Sequence, residues 1–385
     1  MNRDVKIVTI VSAISGLCSG MFEILFTLYL NDLNVSLYTM GVIFSVSGVI
    51  SFLVLVILGT QSDVWGRKVV YSASLLIASI SSFFTSMLKN LGELTIAQIT
   101  WNFSLKSRAA VHPTFIFETV RKGYARIIAR IQGIELTLNA TGFTVAGSVL
   151  LYLGFQRSFL ALSLVLLGSF VVFLTVREPS RPKVERKSIR EMYSFDISRQ
   201  LKIICVYNLI FGIGFAVCHS VFIYTLFFLK KFAVDPITLS LILGIHHFGF
   251  GLTLIFVSRL FGKPSLNLKK VLISSNLLFG LSYIVTALIP SLITAYAVWL
   301  LHNILGSAFY YPTQQTLTQN FSRDDTRGKD VNMTAASMSI GQAIGPIIGG
   351  YLAEIDISLP FIVGGIIVAL GSLILIPLDQ GARSS

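Results

Sequence analysis

Long apolar stretches, separated by short polar breaks, run along nearly the whole chain. A helix needs roughly 20 apolar residues to cross the hydrocarbon core of a bilayer, and twelve stretches approach or exceed this length. They are residues 5–30, 38–62, 68–88, 93–117, 128–153, 158–176, 201–228, 237–258, 269–289, 292–317, 331–353 and 358–377. The pattern predicts an all-α integral membrane protein with twelve transmembrane helices, although the fourth and fifth spans share an unusually polar segment, 106–130.

The composition excludes a water-soluble globule. Of the 385 residues, 54% are hydrophobic and only 12% are charged, whereas a soluble domain carries about 25% charged residues. We therefore expect most of the protein surface to contact lipid. The cysteines, Cys18, Cys205 and Cys218, lie in apolar stretches and predict small buried side chains rather than disulfides. No spacing indicates a metal or haem site, and no Gly-x-x-x-x-Gly-Lys loop indicates direct use of ATP.

The basic residues concentrate on one side of the predicted membrane. Of the 30 Lys and Arg residues, 24 fall at the termini or in every second loop, and four fall in the opposite loops. The remaining two, Lys106 and Arg108, lie inside the fourth span. Because basic loops stay in the cytoplasm, we predict a plasma-membrane protein with both termini cytoplasmic. The same bias accounts for the net charge of +12 without a nucleic-acid partner.

A polar segment near the middle divides the chain into two halves. Residues 177–200 hold two prolines and seven basic residues, which predicts a cytoplasmic linker, 179–200, between bundles at 1–178 and 201–385. An internal repeat supports this division. A basic turn precedes a glycine-rich stretch once in each half, at 121–123 and 142–147 and again at 327–328 and 345–350. We therefore predict two pseudo-symmetric six-helix bundles, a plan that places the binding site between them near the midplane.

The loop between the second and third spans carries a compact motif, Gly-Thr-Gln-Ser-Asp-Val-Trp-Gly-Arg-Lys, at 59–68. It resembles the signature loop of the major facilitator superfamily, with Val64 in place of that family's first basic residue. The resemblance implies the fold of that family, transport by alternating access, and a loop that latches the two halves in one conformation. The residues matched to this latch are Gly59, Asp63, Gly66, Arg67 and Lys68.

A second glycine-rich motif lies in the eleventh span. It comprises Gly341, Gly345, Pro346, Gly349 and Gly350. It is similar to a stretch that efflux antiporters of the family carry in their fifth helix, but the fifth span of this chain has no proline. This difference weakens an assignment as a simple drug antiporter. Small residues at this spacing let helices approach closely in a membrane, so we interpret the motif as a packing surface.

Ionisable residues inside a span are costly unless they are paired or hydrated, so they mark candidate sites. The resemblance implies that the first, fourth, seventh and tenth helices line a central cavity. In the first span, Glu23 shares one helix face with four hydroxyl side chains, Ser12, Ser15, Ser19 and Thr27. We interpret Glu23 as a proton-carrying carboxylate. The alternative is a structural partner for a neighbouring base.

The fourth span supplies two bases, Lys106 and Arg108. Two residues apart on a helix, they point about 200° apart and cannot share a narrow face. One of them is expected to pair with Glu23 or Glu135, leaving the other for an anionic group of a solute. An arginine would hold a carboxylate or phosphate through two parallel hydrogen bonds. The alternative is that both bases only form ion pairs between helices.

The seventh and tenth spans each carry a histidine, and we interpret these as further cavity residues. His219 lies in the seventh span, and His302 stands beside Asn303 in the tenth. A neutral imidazole can hydrogen-bond a solute or relay protons near neutral pH. The alternative is a buried packing residue. The sequence spacing of the histidines does not match a metal site.

These observations predict a monomeric secondary transporter of a small organic solute, coupled to protons through Glu23 and needing no cofactor. Glu23 against Lys106 and Arg108 gives a mildly positive cavity, which favours an anionic or polar solute. The 29 phenylalanines support an alternative, a proton antiporter that exports amphipathic drug-like compounds. An enzyme is not expected, because no catalytic carboxylate pair, metal cluster or Ser-His-Asp set is found. A receptor or lipid scramblase derived from a transporter is a further alternative.

Overall fold

A computed structural model describes residues 3–120, 124–178, 197–258, 267–323 and 327–379. Almost all of these residues are helical. The helices are α1 Arg3–Asp32, α2 Leu37–Trp65, α3 Arg67–Thr85, α4 Leu91–Val120, α5 Tyr124–Phe173, α6 Arg199–His219, α7 Val221–Phe232, α8 Pro236–Ser258, α9 Leu268–Leu288, α10 Leu292–Leu301, α11 Ala308–Phe321, α12 Arg327–Ile355 and α13 Leu359–Gly371. A π-helical turn, His302–Ser307, joins α10 to α11, and a 3-10 turn, Ser372–Leu375, follows α13. Of the predicted linker 179–200, only 197–200 belong to the described residues.

The helices are suited to a membrane. Seven helical segments of the described chain are long and apolar enough to cross one, and two shorter apolar helices, Leu37–Ile50 and Leu359–Leu375, accompany them. Polar side chains lower the hydropathy of α4 and α12, yet these helices have 30 and 29 residues. At about 1.5 Å per residue they too can cross the hydrocarbon core. The protein is thus an all-α, multi-pass membrane protein, and its helices are compatible with twelve spans.

The longest helix, α5, reverses direction at Gly154. This residue has φ 71° and ψ 173°, a conformation that is open to glycine and strained for other residues. The ring of Tyr29 on α1 lies 5.1 Å from that of Phe155, and the ring of Phe22, earlier on α1, lies 5.5 Å from that of Phe159. The chain after Gly154 therefore runs antiparallel to α1. The helix contributes two spans, with the reversal at the break that the sequence predicted.

The chain folds into two compact units. The first comprises Met1–Asn34, Val49–Lys187 and Asp235–His247, and the second comprises Val35–Gly48, Ser188–Val234 and Phe248–Ser385. Each unit combines most of one predicted half with a short segment of the other, namely the first part of α8 in the first unit and the first part of α2 in the second. These two segments are equivalent under the internal repeat. The bundle boundaries at 178 and 201 stay a prediction.

In the first unit, α1 and the first part of α5 pack with almost no space between their backbones. A Cβ atom added at Gly16 would lie 2.4 Å from the carbonyl oxygen of Glu135, and one at Gly20 would lie 2.2 Å from that of Asn139. Both distances are far below ordinary contact, so only glycine fits. Because the residue numbers of the contacting pairs increase in the same direction on both helices, α1 and this part of α5 run parallel.

The second unit repeats this arrangement with α6 and α12. A Cβ atom at Gly341 would lie 2.2 Å from the carbonyl oxygen of Leu209, and one at Gly345 would lie 2.4 Å from the Cβ of Ala216. The positions again rise together, so these helices also run parallel. The two units therefore share the pseudo-symmetric packing that the internal repeat predicted.

The rest of the glycine motif packs on two sides of α12. A Cβ at Gly349 would lie 2.7 Å from a carbonyl oxygen of α6, and one at Gly350 would lie 2.4 Å from that of Leu37 on α2. The carbonyl oxygen of Pro346 approaches α2 as well, 2.4 Å from a Cβ placed on Gly41. These contacts leave no room for larger side chains on either side of the helix.

Candidate solute-binding site

A cavity of about 700 Å³ opens inside the first unit, between α1, α4 and the first part of α5. Its wall combines carboxylate, ammonium, guanidinium, imidazole, hydroxyl and carboxamide groups. These belong to Ser19, Glu23, Asn102, Lys106, Arg108, His112, Gln132, Glu135 and Asn139. Such a density of polar groups inside a membrane-spanning bundle is costly unless the cavity holds water or a polar ligand. The donor set suits a polar organic solute.

The first wall comes from the polar stripe of α1. Ser19 donates a hydrogen bond to Oε1 of Glu23 at 3.4 Å, and both residues line the cavity. Other members of the stripe serve packing. Ser12 bonds the hydroxyl of Tyr71 at 3.2 Å, and Thr27 donates to the backbone carbonyl of Glu23 at 3.0 Å. The stripe thus reaches the cavity only near its centre.

Both bases of α4 line the cavity, although they point in different directions. Asn102 and Lys106 follow one line along the helix, and Arg108 and His112 follow another, each pair four residues apart. The cavity therefore borders a broad arc of α4. Trp101, one residue before the arc begins, is buried and stacks on Phe22 of α1, with ring centroids 3.7 Å apart.

The third wall comes from α5, which sequence reasoning did not assign to the cavity. Gln132, Glu135 and Asn139 lie on one face, spaced three and four residues apart. Asn139 also binds α1, because its Nδ2 donates to the carbonyl oxygen of Gly16 at 3.3 Å. The polar stripe in an apolar span was a visible signal. Only the close packing of α1 and α5 shows that it borders the same cavity as Glu23.

Two acids and two bases surround the cavity. Nη2 of Arg108 lies 3.7 Å from Oε1 of Glu135, a loose ion pair that leaves most of the five guanidinium donors for other partners. Lys106 and Glu23 attract each other electrostatically. Among the described residues, however, no hydrogen bond or ion pair within 4.0 Å joins these two. The formal charge is therefore balanced, and not mildly positive, because Glu135 adds a second acid.

His112 belongs to a hydrogen-bond chain beside the cavity. Its Nδ1 lies 3.2 Å from the hydroxyl of Tyr71, which lies 3.2 Å from the hydroxyl of Ser12. Its Nε2 is buried and has no hydrogen-bond partner in the described part of the chain. A buried polar atom left without a partner costs about 1–3 kcal/mol.

The three other predicted cavity residues lie in the second unit. His219 ends α6, and its Nδ1 contacts the hydroxyl of Tyr283. His302 is completely buried at the start of the π turn, and Asn303 is buried beside it. The ring centroids of the two histidines are 5.2 Å apart, a proximity that their separation in the sequence did not indicate.

The end of the motif at 59–68 forms a charged junction inside the first unit. Gly66 has φ 111°, and α3 begins at the next residue. The N–H groups of Arg67 and Lys68 each donate to the carboxylate of Glu178 at 2.9 Å. The guanidinium of Arg67 pairs with Glu118 at 3.4 Å. A carboxylate that follows α5 in the chain thus satisfies two N–H groups that the start of α3 leaves open.

The other two latch residues, Gly59 and Asp63, lie in the last turns of α2, and their side chains are outside the described part of the structure. Lys68 adds one more contact, because its Nζ donates to the carbonyl oxygen of Leu174 at 2.8 Å. The contacts described here for Arg67 and Lys68 are all with residues of the first unit. The conformational latch stays a prediction.

Comparison with known proteins assigns this architecture to a family. The sequence model of the Major Facilitator Superfamily matches residues 8–263 and 204–385. The chain belongs to this superfamily. The resemblance inferred from the loop at 59–68 is confirmed, and this superfamily member is a multi-pass membrane transporter.

Similar proteins carry names that describe different substrates. Multidrug resistance protein 1 of Bacillus subtilis (strain 168) is 24% identical over 357 residues, which cover 89% of this chain and 87% of that protein. A mutant of the nucleoside transporter NupG superposes with a TM-score of 0.84 at 14% identity, covering 98% of this chain and 100% of that one. A POT family transporter in complex with a thioalcohol conjugated peptide gives a TM-score of 0.80 at 14% identity, covering 97% and 95%. Structural likeness at such identities shows the fold alone.

Proposed function

We propose that this superfamily member moves a small polar organic solute through the cavity of the first unit and couples the movement to protons. The observation that carries the proposal is the pair of Glu23 and Lys106, opposite charges that line one cavity without bonding each other. Inside a bundle surrounded by lipid, such groups are costly unless they bind water or a ligand. The proposed solute offers an anionic group to Lys106 and polar groups to Asn102 and Asn139.

Proton coupling follows from the electrostatics of the same pair. In the empty cavity the two charges offset each other. An anionic group bound at Lys106 neutralises the ammonium and leaves the carboxylate of Glu23 without a compensating charge in surroundings of low dielectric constant. Glu23 is then stabilised by taking up a proton. Solute and proton are therefore carried in the same direction.

The proposed setting is the plasma membrane, with both termini in the cytoplasm. The asymmetry of the basic residues supports this orientation, because 24 of 30 fall on one side of the predicted spans.

A second candidate function is the export of amphipathic drug-like compounds in exchange for protons. It rests on the similarity to Multidrug resistance protein 1 of Bacillus subtilis. In that case Glu23 holds a lipophilic cation. Lys106 is then a structural neighbour whose positive charge offsets the negative charge of Glu23 in the empty cavity. The two candidates therefore assign different residues to the substrate.

The melting temperature of the purified protein in detergent distinguishes them. The panel contains organic anions, amino acids, nucleosides, peptides and lipophilic cations. A ligand at about 100 times its Kd stabilises the folded state by about 2.7 kcal/mol. We expect a polar, anionic solute to raise the melting temperature of the wild type and to lose this effect in Lys106→Met.

Lys202→Met is the matched control, because it removes the same charge from an exposed position at the start of α6. It should keep the full ligand effect. If Lys106→Met and Lys202→Met respond alike to every ligand, Lys106 does not hold the solute. If lipophilic cations alone stabilise the protein and Glu23→Gln abolishes their effect, drug export replaces polar-solute transport.

Proton coupling has a separate test in proteoliposomes with the ligand that the panel identifies. A pH gradient should drive its accumulation by the wild type. Glu23→Gln should lose this accumulation and keep the exchange of labelled for unlabelled solute, because exchange needs no net proton movement. Accumulation by Glu23→Gln equal to that of the wild type would rule out this carboxylate as the proton carrier.

A further inference from the structure

Two histidines of the second unit are joined through one tyrosine. His219 ends α6, Tyr283 lies on α9, and His302 opens the π turn between α10 and α11. The hydroxyl of Tyr283 contacts Nδ1 of His219 and lies 3.5 Å from Nε2 of His302. Nδ1 of His302 contacts the backbone carbonyl oxygen of Trp299. None of these residues lines the cavity of the first unit.

The directions of these hydrogen bonds follow from the carbonyl at one end. A carbonyl oxygen can only accept, so Nδ1 of His302 carries a hydrogen and its Nε2 is the acceptor in the neutral ring. Tyr283 therefore donates its hydroxyl hydrogen to that Nε2. A hydroxyl has one hydrogen, so its oxygen must accept from Nδ1–H of His219. The neutral form of His219 thus holds its lone pair at Nε2.

We propose that His219, Tyr283 and His302 form a proton relay, a second proton-binding site of this transporter that is separate from Glu23. A proton binds to Nε2 of His219. The Nδ1 hydrogen of His219 passes to the oxygen of Tyr283, and the hydroxyl hydrogen of Tyr283 passes to Nε2 of His302. His219 and Tyr283 end neutral, and His302 ends as an imidazolium. One proton enters and one positive charge has moved, so the step is balanced.

Two aromatic rings flank the end of this relay. His302 is completely buried, and its ring centroid lies 5.2 Å from those of both Phe279 and Trp299. Aromatic rings at this distance attract a cation. A π-helical turn inside a helix is a frequent feature of functional sites, and His302 is its first residue.

The thiol and phenol groups of the second unit near Tyr283 do not compete for the proton near neutral pH. Those close enough to act on Tyr283 electrostatically are Cys218, Tyr224 and Tyr311, and the ring of Tyr224 also lies 5.2 Å from that of His219. Thiols and phenols ordinarily lose their protons only in the alkaline range. Imidazole is the group that changes charge near neutrality.

Nitrogen NMR of the full-length protein with ¹⁵N-labelled histidine tests the relay without any solute. The chain has five histidines, so each signal can be assigned by single substitution. In the wild type at pH 8, we expect both His219 and His302 to carry their hydrogen on Nδ1. On acidification the pair should take up one proton in a single shared step. A hydrogen on Nε2 of neutral His302, or titration of His219 with no change at His302, would refute the relay.

Tyr283→Phe removes the bridging hydroxyl and keeps the ring. We expect the shared step to split, with the signals of His302 no longer following those of His219. Tyr310→Phe is the matched control, because Tyr310 is also buried in this unit and its hydroxyl contacts Met338 at 3.5 Å instead of a histidine. Equal spectra for the wild type and Tyr283→Phe would overturn the proposal. The wild-type tautomers decide the question even if Tyr283→Phe does not fold.

Discussion

Replacing Gly142 by alanine tests one of the closest helix contacts beside the candidate site. Gly142 lies on α5 against α1, and a Cβ at this position would lie 2.2 Å from the carbonyl oxygen of Leu17 and 3.0 Å from the backbone nitrogen of Met21. Both atoms are helix backbone, so no change of rotamer relieves the overlap. Ordinary contact begins at about 3.4 Å, so the two helices must separate by about 1.2 Å.

The expected cost is that of forcing extra atoms into a filled contact, about 1–3 kcal/mol. The methyl group also has a favourable effect, since alanine is better than glycine in a helix by about 1 kcal/mol in water. Gly168→Ala separates the two effects. Gly168 lies on the same helix, and nothing lies within 4 Å of a Cβ placed there. We expect Gly142→Ala to be less stable than Gly168→Ala by about 1–3 kcal/mol.

The assay is thermal unfolding in detergent, followed with a thiol-reactive fluorescent dye. Cys18 and Cys218 are buried and free, so they react only when the helices come apart. Each kcal/mol corresponds to about 2–4 °C in chains of 150–250 residues, and we expect a difference of several degrees here. Equal melting temperatures for Gly142→Ala and Gly168→Ala would show that α1 and α5 do not pack as described.

Three further results are expected from the same assay. Gly66→Ala places a side chain at φ 111° and should lower the free energy of unfolding by about 1–2 kcal/mol; an unchanged melting temperature would contradict that backbone conformation. Glu135→Gln and Arg108→Gln should show a coupling energy of at least about 0.5 kcal/mol in a double-mutant cycle, whereas additive effects would argue against their ion pair. Asp235, outside the spans, accepts hydrogen bonds from the side chain and the N–H of Thr238, which hold its pKa below the usual range. The stabilising contribution of Asp235 is therefore complete above its unfolded pKa and is lost as the pH falls through its folded pKa. Asp235→Asn should abolish this loss of stability at acidic pH, and an acid response equal to that of the wild type would exclude Asp235 as its cause.

The membrane architecture was predictable because its signals are local. The reversal at Gly154 was visible as a short break between apolar stretches, and the structure has it there. The loop that ends in Arg67 and Lys68 identified the superfamily from a few residues, and the family match confirms it. Hydrophobic length and basic loops act on each segment separately, so no knowledge of the packing was needed.

The cavity was predictable only in part. Glu23, Lys106 and Arg108 stood out because charges are rare in spans, and all three line one cavity. Glu135 was recognised as a possible partner of a base but not as part of the wall. Its place there depends on the glycine contacts between α1 and α5, which bring the polar face of α5 to the cavity. The charge balance derived without it was therefore wrong.

The sequence by itself determined that the protein lies in a lipid membrane, that it is built of helical spans, and which family it belongs to. Each of these follows from the composition and order of nearby residues. Only the tertiary structure decided which polar faces meet. It paired Arg108 with Glu135, and it joined His219 to His302 through Tyr283. The physical reason is that helical periodicity shows which side of a helix a residue occupies, but not which other helix covers that side.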